Sequence, residues 1–126
     1  MNDRENSCGI FGSFRHALSG AFAAVKGERN MRIHLLAALA AAAIGAWLGI
    51  DRGEWVAVVL CCALVISLEC MNTAVEAVVD LASPDIHPLA KRAKDCAAGA
   101  VLISAVGAAV VGCVVFLPRL ADLLKL

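Results

Sequence analysis

The chain has 126 residues, of which 61% are hydrophobic, and its eleven Lys and Arg residues balance eleven Asp and Glu residues. Soluble domains are about 45–50% apolar, so this composition excludes an ordinary soluble domain. Because the apolar excess lies in long runs, the sequence predicts an all-α integral membrane protein with a single domain over residues 1–126. No nucleic-acid partner is expected.

The first predicted element is an amphipathic helix over residues 13–30. Charged and polar side chains occupy its other faces, a pattern typical of a helix lying in the membrane surface. Because the first thirty residues are polar overall, no cleavable signal peptide is expected. The apolar stripe of this helix consists of Phe14, Leu18, Ala21, Phe22 and Val25.

Three membrane-spanning helices are predicted next, over residues 33–50, 55–79 and 96–117. Each range approaches the ~20 residues that a helix needs to cross ~30 Å of hydrocarbon. Trp47 and Trp55 flank the intervening turn, as aromatic anchors at a membrane interface do. The three spans and the surface helix complete the predicted fold of one subunit.

The distribution of Lys and Arg predicts the orientation in the membrane. These residues concentrate before residue 33 and in the 80–95 loop, whereas the turn at 51–54 holds one Arg. The positive-inside rule therefore places the N-terminus and the 80–95 loop in the cytoplasm, and the C-terminus outside. Pro84 and Pro88 interrupt that loop, and the last helix is expected to begin around Pro88.

The most informative feature is a polar stripe at the end of the second span. Glu69, Asn72, Glu76 and Asp80 are spaced three, four and four residues apart, which places them on one helix face. A charged side chain costs ~2.5–3.5 kcal/mol at the centre of a spanning helix. Counting from Trp55, Glu69 lies about 9 Å inside the cytoplasmic boundary of the hydrocarbon. This layout suits a reaction between a lipid alcohol and a water-soluble donor.

Two carboxylates predict a metal site at the same boundary. Glu28 can reach the level of Glu76, and Lys94 is expected nearby. Mg2+ in proteins prefers a few carboxylates together with phosphate oxygens and water, and a lysine offsets phosphate charge. The sequence has no phosphate-binding P-loop, no kinase catalytic loop and no Gly-x-Gly-x-x-Gly motif, so a bound nucleotide would be held in another way.

Each of these groups also has a structural interpretation that the sequence leaves open. Glu69 as the protonated acid would form an interhelical hydrogen bond, and Glu28 with Arg32 would form a surface ion pair of ~0.3–0.5 kcal/mol. Solvation at the interface, or a charge pair at the start of a helix, would account for the remaining residues. These are Glu76, Asp80, Lys94 and Asp95.

The cysteines and histidines suggest no further site. None of the six cysteines forms a Cys-x-x-Cys pair, and no structural disulfide is expected. His16, His34 and His87 lie in three separate segments, so they are not expected to share a metal ion. His87, in the loop beside Lys94, is the histidine that we expect to contact a ligand.

The motif Glu-x-x-Asn-[Ser/Thr]-Ala-x-Glu-x-x-x-Asp, at residues 69–80, resembles the signature of the small prokaryotic lipid kinases, the diacylglycerol and undecaprenol kinase family. The resemblance continues through residues 28–34 and 93–95, and covers about residues 12–118. Two details, Asn-Thr-Ala at 72–74 and the segment from His87 to Asp95, look like the undecaprenol kinase branch.

The resemblance implies a homotrimer whose active sites are shared between neighbouring subunits. It implies transfer of the γ-phosphoryl group of ATP, with Mg2+, to the hydroxyl of diacylglycerol or undecaprenol, giving phosphatidic acid or undecaprenyl phosphate. By position, Glu69 matches the general base, and Glu28 and Glu76 match the metal ligands. Asp85 stands where other members often have Glu. The residues that match the nucleotide site are Glu28, Asn72, Glu76, Asp85, His87, Lys94 and Asp95.

A small oligomeric pore or transporter subunit is the alternative function, because carboxylates within the membrane also line ion pathways. A pathway needs polar residues through the full thickness of the membrane. In residues 55–66 and 101–117, however, only Ser104 and the glycines could line an ion pathway. A purely structural assembly factor would leave Glu69 without a role.

Overall fold

The computed structural model describes residues 9–85 and 87–125, and these form four α-helices. This confirms the predicted all-α fold, and three of the helices are long and apolar enough to be candidate membrane spans. The last two helices exceed the ~30 Å thickness of the hydrocarbon core, at ~1.5 Å per residue. The helices are α1 (Ile10–Gly27), α2 (Arg29–Leu48), α3 (Arg52–Ala82) and α4 (Pro88–Leu124).

A single extended residue separates α1 from α2. Glu28 has φ −107° and ψ 125°, so it ends one helix and precedes the first turn of the next. The first helix therefore begins and ends three residues before the predicted range 13–30. Arg29 and Asn30, which that range assigned to the surface helix, belong to α2.

The turn between α2 and α3 is defined by two local signals. Gly49 ends α2 in the left-handed conformation (φ 64°), which glycine adopts without steric cost. Asp51 then caps α3 in a reciprocal capping box: its side chain accepts from the Glu54 amide at 3.0 Å, and the Glu54 carboxylate accepts from the Asp51 amide at 2.8 Å. Gly49 therefore ends α2 at Leu48. The cap by Asp51 begins α3 at Arg52, three residues before the predicted span 55–79.

The predicted 80–95 loop is much shorter in the structure. Helix α3 continues to Ala82, and α4 begins at Pro88, the position at which the sequence predicted its start. The His87 imidazole accepts a hydrogen bond from the Leu89 amide at 3.2 Å, and Pro88 suits the first helical turn because it lacks an amide hydrogen. The predicted span 96–117 therefore lies inside a longer helix, and Lys94 and Asp95 are helical residues.

The largest interface between helices joins α3 to α4. At one end of this interface, Ile50, Val58 and Val115 are buried against Trp55 and Phe116. The same end is tied by Arg119, whose guanidinium lies 2.5 Å from the Glu54 carboxylate and donates to the Gly49 carbonyl at 3.1 Å. Most other large apolar side chains are exposed on the outer faces of the helices, including Phe11, Phe14, Leu36, Leu60 and Leu102.

Candidate active site

A cavity of about 190 Å³ lies between α2, α3 and α4, at the opposite end of the α3–α4 interface from Arg119. We call it the Glu69 cavity. Helix α3 contributes a carboxylate and an amide, α2 contributes two polar side chains, and α4 contributes apolar side chains. The lining residues are Asn30, His34, Glu69, Asn72, Ala98, Val101, Leu102 and Ala105.

Glu69 and Asn72 are buried polar residues with free hydrogen-bonding capacity. Glu69 is only 1% exposed and Asn72 is 7% exposed. Within the described part of the chain, Glu69 Oε1 and Asn72 Oδ1 have no hydrogen-bond donor. A buried polar atom without a partner costs about 1–3 kcal/mol, so native proteins retain such atoms mainly where another molecule binds or reacts. These two oxygens therefore identify the cavity as the candidate site.

The other carboxylates of the predicted site lie near Glu69. Asn72 Nδ2 donates to Glu76 Oε1 at 3.2 Å, which connects the second acid of the α3 stripe to the cavity. Glu28, Glu76 and the imidazole of His34 are all within electrostatic range of the Glu69 carboxylate. The catalytic and metal-binding candidates of the sequence thus lie on one helix, α3, and at the residue that links α1 to α2.

Glu28 and Glu76, the predicted metal ligands, carry carboxylates, which are side chains that Mg2+ prefers. Among residues 9–85 and 87–125, no three His, Cys, Asp or Glu side chains cluster as a complete set of protein ligands. Mg2+ is commonly held by one or two carboxylates, with phosphate oxygens and water completing the octahedron. Both carboxylates are half-buried, and no ion pair joins the described residues Glu28 and Arg32. Their oxygens therefore fit a cation bound together with a phosphate.

Lys94 lies beside the α3 stripe. Its ammonium is 2.5 Å from the Asp80 carboxylate, and this ion pair joins the ends of α3 and α4. Lys94 also falls one helical turn before Ala98, a lining residue of the Glu69 cavity. Asp95, by contrast, pairs with Lys91 within α4 and not with Lys94.

Asp85 and His87 lie in the short segment between α3 and α4, and neither lines the Glu69 cavity. Both are exposed. The Asp85 carbonyl accepts from Ser83 Oγ at 3.0 Å, and the His87 ring caps α4. Their contact with a nucleotide stays a prediction.

Asn30 and His34 are cavity residues that the sequence analysis did not assign to the site. They are four residues apart on α2, so they share one helix face. Their signal was present in the sequence, because two polar side chains at this spacing lead directly into an apolar run. What the spacing does not reveal is that this face meets Glu69 rather than lipid or another subunit.

Comparisons with known proteins identify the family of the chain. The family described as prokaryotic diacylglycerol kinase matches residues 15–116. The chain is 43% identical over 111 residues to an undecaprenol kinase of Bacillus subtilis (88% of this chain, 90% of the relative). It is 42% identical over 113 residues to a diacylglycerol kinase of Synechocystis (89% and 65%) and 35% identical over 99 residues to a diacylglycerol kinase of Escherichia coli (79% and 81%).

The family match covers most of the chain, including every residue of the Glu69 cavity. The similarity to an undecaprenol kinase also agrees with the branch indicated by residues 72–74 and 87–95. The chain therefore belongs to the prokaryotic diacylglycerol kinase family and is a lipid kinase.

Proposed function

We propose that the protein transfers the γ-phosphoryl group of ATP to the hydroxyl of a membrane lipid alcohol, either diacylglycerol or undecaprenol, at the cytoplasmic face of the bacterial inner membrane. The observation that carries this proposal is the buried carboxylate of Glu69, which lines the cavity and whose Oε1 has no hydrogen-bond donor among the described residues. A lipid hydroxyl supplies that donor. Relatives named undecaprenol kinase and diacylglycerol kinase support both lipid classes.

Glu69 acts on the lipid hydroxyl as the general base. The hydroxyl donates its hydrogen to Oε1, which orients the oxygen and accepts the proton as the phosphoryl group is transferred. The apolar α4 side chains Ala98, Val101 and Leu102 exclude water from the other side of the cavity. Excluding water favours transfer to the lipid over hydrolysis of ATP.

Glu28 and Glu76 would hold Mg2+ together with the phosphates of ATP, and Lys94 would contribute positive charge beside them. Bound Mg2+ would neutralise the negative charge that develops on the transferred phosphoryl group. Asn72 positions the Glu76 carboxylate through the hydrogen bond from its amide. Asp85, His87 and Asp95 complete the nucleotide site in this proposal.

The assembly that we propose is a homotrimer with shared active sites. Helix α1 lies in the membrane surface, where the exposed side chains of Phe11, Phe14 and Phe22 enter the interfacial region. The N-terminus and the segment between α3 and α4 face the cytoplasm, where ATP is available.

The direct test uses purified protein in mixed micelles with Mg-ATP and a panel of lipid alcohols. We expect phosphorylated lipid from diacylglycerol, from undecaprenol, or from both, and loss of product when the metal is chelated. If the folded protein phosphorylates no alcohol, the proposal is wrong. An ion flux through liposomes in that case would favour the pore alternative.

A further inference from the structure

A proton taken up by Glu69 has no direct way out of the protein. In the proposed reaction the lipid O–H bond breaks and the hydrogen ends on Glu69 Oε1, so the carboxylate becomes a carboxylic acid. Glu69 is only 1% exposed, so bulk water does not reach this acid from outside. The proton must leave before Glu69 can act as a base on the next lipid molecule.

His34 is the residue placed to receive this proton. Among the described residues that line the Glu69 cavity, Glu69 and His34 are the only two with titratable side chains. The imidazole lies within electrostatic range of the Glu69 carboxylate. Histidine is also the side chain that most readily takes up and releases a proton near neutral pH, and its two ring nitrogens let it accept on one side and release on the other.

His34 connects the cavity to the end at which α2 begins. It is half-buried, whereas Asn30, one turn earlier on the same helix face, is exposed. The two residues are separated by about 6 Å along the helix axis. Both line the Glu69 cavity, so two polar side chains in succession lead from Glu69 to an exposed position. In the orientation proposed above, that position lies at the cytoplasmic face.

The other titratable groups of this region do not line the Glu69 cavity. Two carboxylates would hold Mg2+ in the proposed function, an ammonium is paired with a carboxylate of α3, and two thiols line a neighbouring cavity that shares His34. These groups are Glu28, Glu76, Lys94, Asp80, Cys61 and Cys62. His34 therefore has no competitor within the described lining of the cavity.

We propose that His34 relays the proton from Glu69 to water at the cytoplasmic face. This inference rests on the proposed kinase function and adds the exit of the proton to it. No hydrogen bond joins the imidazole to Oε1, so the transfer passes through one water molecule, for which a cavity of about 190 Å³ has room, since water takes ~30 Å³ in the liquid.

The relay returns both groups to their starting charge. The Oε1–H bond breaks as an N–H bond forms on one imidazole nitrogen, which gives a carboxylate and an imidazolium. The imidazolium then releases the hydrogen of its other nitrogen to water beside Asn30. The net result of one turnover is a phosphorylated lipid, ADP and one proton in solution.

The test removes the imidazole and supplies a base from solution. His34→Ala leaves space beside Glu69 for a free imidazole molecule. Pyrazole is the control additive, because its ring has the same size but is a much weaker base. The matched control variant is Leu35→Ala, which shortens the neighbouring half-buried side chain that lines neither cavity. Initial rates are measured on the full chain in mixed micelles with saturating Mg-ATP and lipid alcohol.

For His34→Ala, we expect kcat to fall about 10-fold, a smaller loss than the ~100-fold expected for Glu69→Gln, because the base itself remains. The KM values for lipid and ATP should stay within about 2-fold, since binding is not affected. Imidazole should raise kcat of this variant in proportion to its concentration, and pyrazole should not. Neither additive should change kcat of Leu35→Ala or of the unsubstituted protein.

A solvent isotope effect provides an independent measurement. In deuterium oxide, kcat of His34→Ala should fall more than kcat of the unsubstituted protein, because proton release limits turnover once the relay is removed. Added imidazole should bring the isotope effect back towards that of the unsubstituted protein. An equal isotope effect in the two proteins would contradict the relay.

Two further results would overturn the relay while leaving the kinase function intact. One is an unchanged kcat in folded His34→Ala. The other is a loss that imidazole and pyrazole restore equally, or that neither restores, which would show that the ring only fills space. If His34→Ala does not fold, His34→Asn is measured with the same expectations. Absence of activity in the unsubstituted protein would instead refute the kinase function.

Discussion

Glu69 is the residue whose environment differs most from its chemical preference. A carboxylate that is 1% exposed in a spanning helix is costly, and this one has an oxygen without a donor in the described chain. Asn72 has the same property one turn away. Two neighbouring buried oxygens without hydrogen-bond donors do not stabilise the fold, because an apolar pair of the same size would be buried at a lower free-energy cost. Binding of a ligand explains them better.

Glu69→Gln should reduce turnover by at least ~100-fold, the scale of general acid–base catalysis, while the fold is retained. Glutamine keeps the size and a hydrogen-bonding oxygen but does not accept the proton. Glu54→Gln, at the other end of α3, is the matched control and should keep near-normal turnover. Initial rates with Mg-ATP and lipid, and thermal unfolding of both variants, check this. Near-normal turnover in Glu69→Gln would remove this residue from the mechanism.

At the scale of elements, the turn between α2 and α3 packs tightly against its neighbours. A Cβ on Gly45 would lie 2.9 Å from Ile50 Cδ1 and 3.2 Å from the Trp55 ring. Ile50 is buried against Val58 and Val115, so it has little room to move. The close approach of α2 to this cluster therefore requires glycine.

Gly45→Ala should destabilise the protein by about 1 kcal/mol, since overpacking of ~1–3 kcal/mol outweighs the ~1 kcal/mol gain in helix propensity. Gly107→Ala is the control, because a Cβ there meets nothing within 4 Å and the propensity gain should appear alone. Thermal or denaturant unfolding in detergent measures both. Equal stabilisation of the two variants would contradict the close packing at Gly45.

Because the Asp51 carboxylate caps α3, the stability of this end of the protein should depend on pH. The Glu54 amide lowers the pKa of Asp51 below its ordinary value of 3.8, and the Gly53 amide and the Arg119 charge act in the same direction, against partial desolvation. Because the folded state favours the carboxylate, its stabilising contribution is present above pH 3.8 and is lost as the pH falls through the lowered value.

Asp51→Asn should therefore lower the unfolding temperature at neutral pH, and the difference from the unsubstituted protein should shrink as the pH falls below 3.8. Thermal unfolding of the two proteins over a pH series measures this difference. The same difference at every pH would show that the charge of Asp51 does not contribute.

At the scale of the whole molecule, three spanning helices leave large apolar faces uncovered. Leu36, Leu60 and Leu102 are each more than 60% exposed, on three different helices. Lipid covers such faces in part, and small residues on α2 and α4 permit close approach of another subunit. In the homotrimer that the resemblance implies, lipid would cover part of these apolar faces and neighbouring subunits would cover the rest.

The purified protein should therefore form particles of three 13.1 kDa chains in mild detergent. Light scattering that corrects for bound detergent measures the protein mass directly. Particles of one or two chains that remain fully active would contradict the trimer. Activity that falls on dilution, in parallel with the particle mass, would connect assembly to the shared active site.

The sequence by itself determined the four helices, the three apolar spans and the common face of Glu69, Asn72 and Glu76. These properties are local, because helix periodicity and the length of an apolar run depend on neighbouring residues. The helix ends were less predictable: Glu28 broke the first helix early, and the capping by His87 shortened the 80–95 loop to the residues between α3 and α4.

Only the tertiary structure decided what the polar stripe faces. Asn30 and His34 from α2 and the ion pair from Lys94 to Asp80 meet the stripe through packing between segments far apart in sequence. The depth of a carboxylate in the membrane can be counted along one helix, but its neighbours depend on how three helices cross.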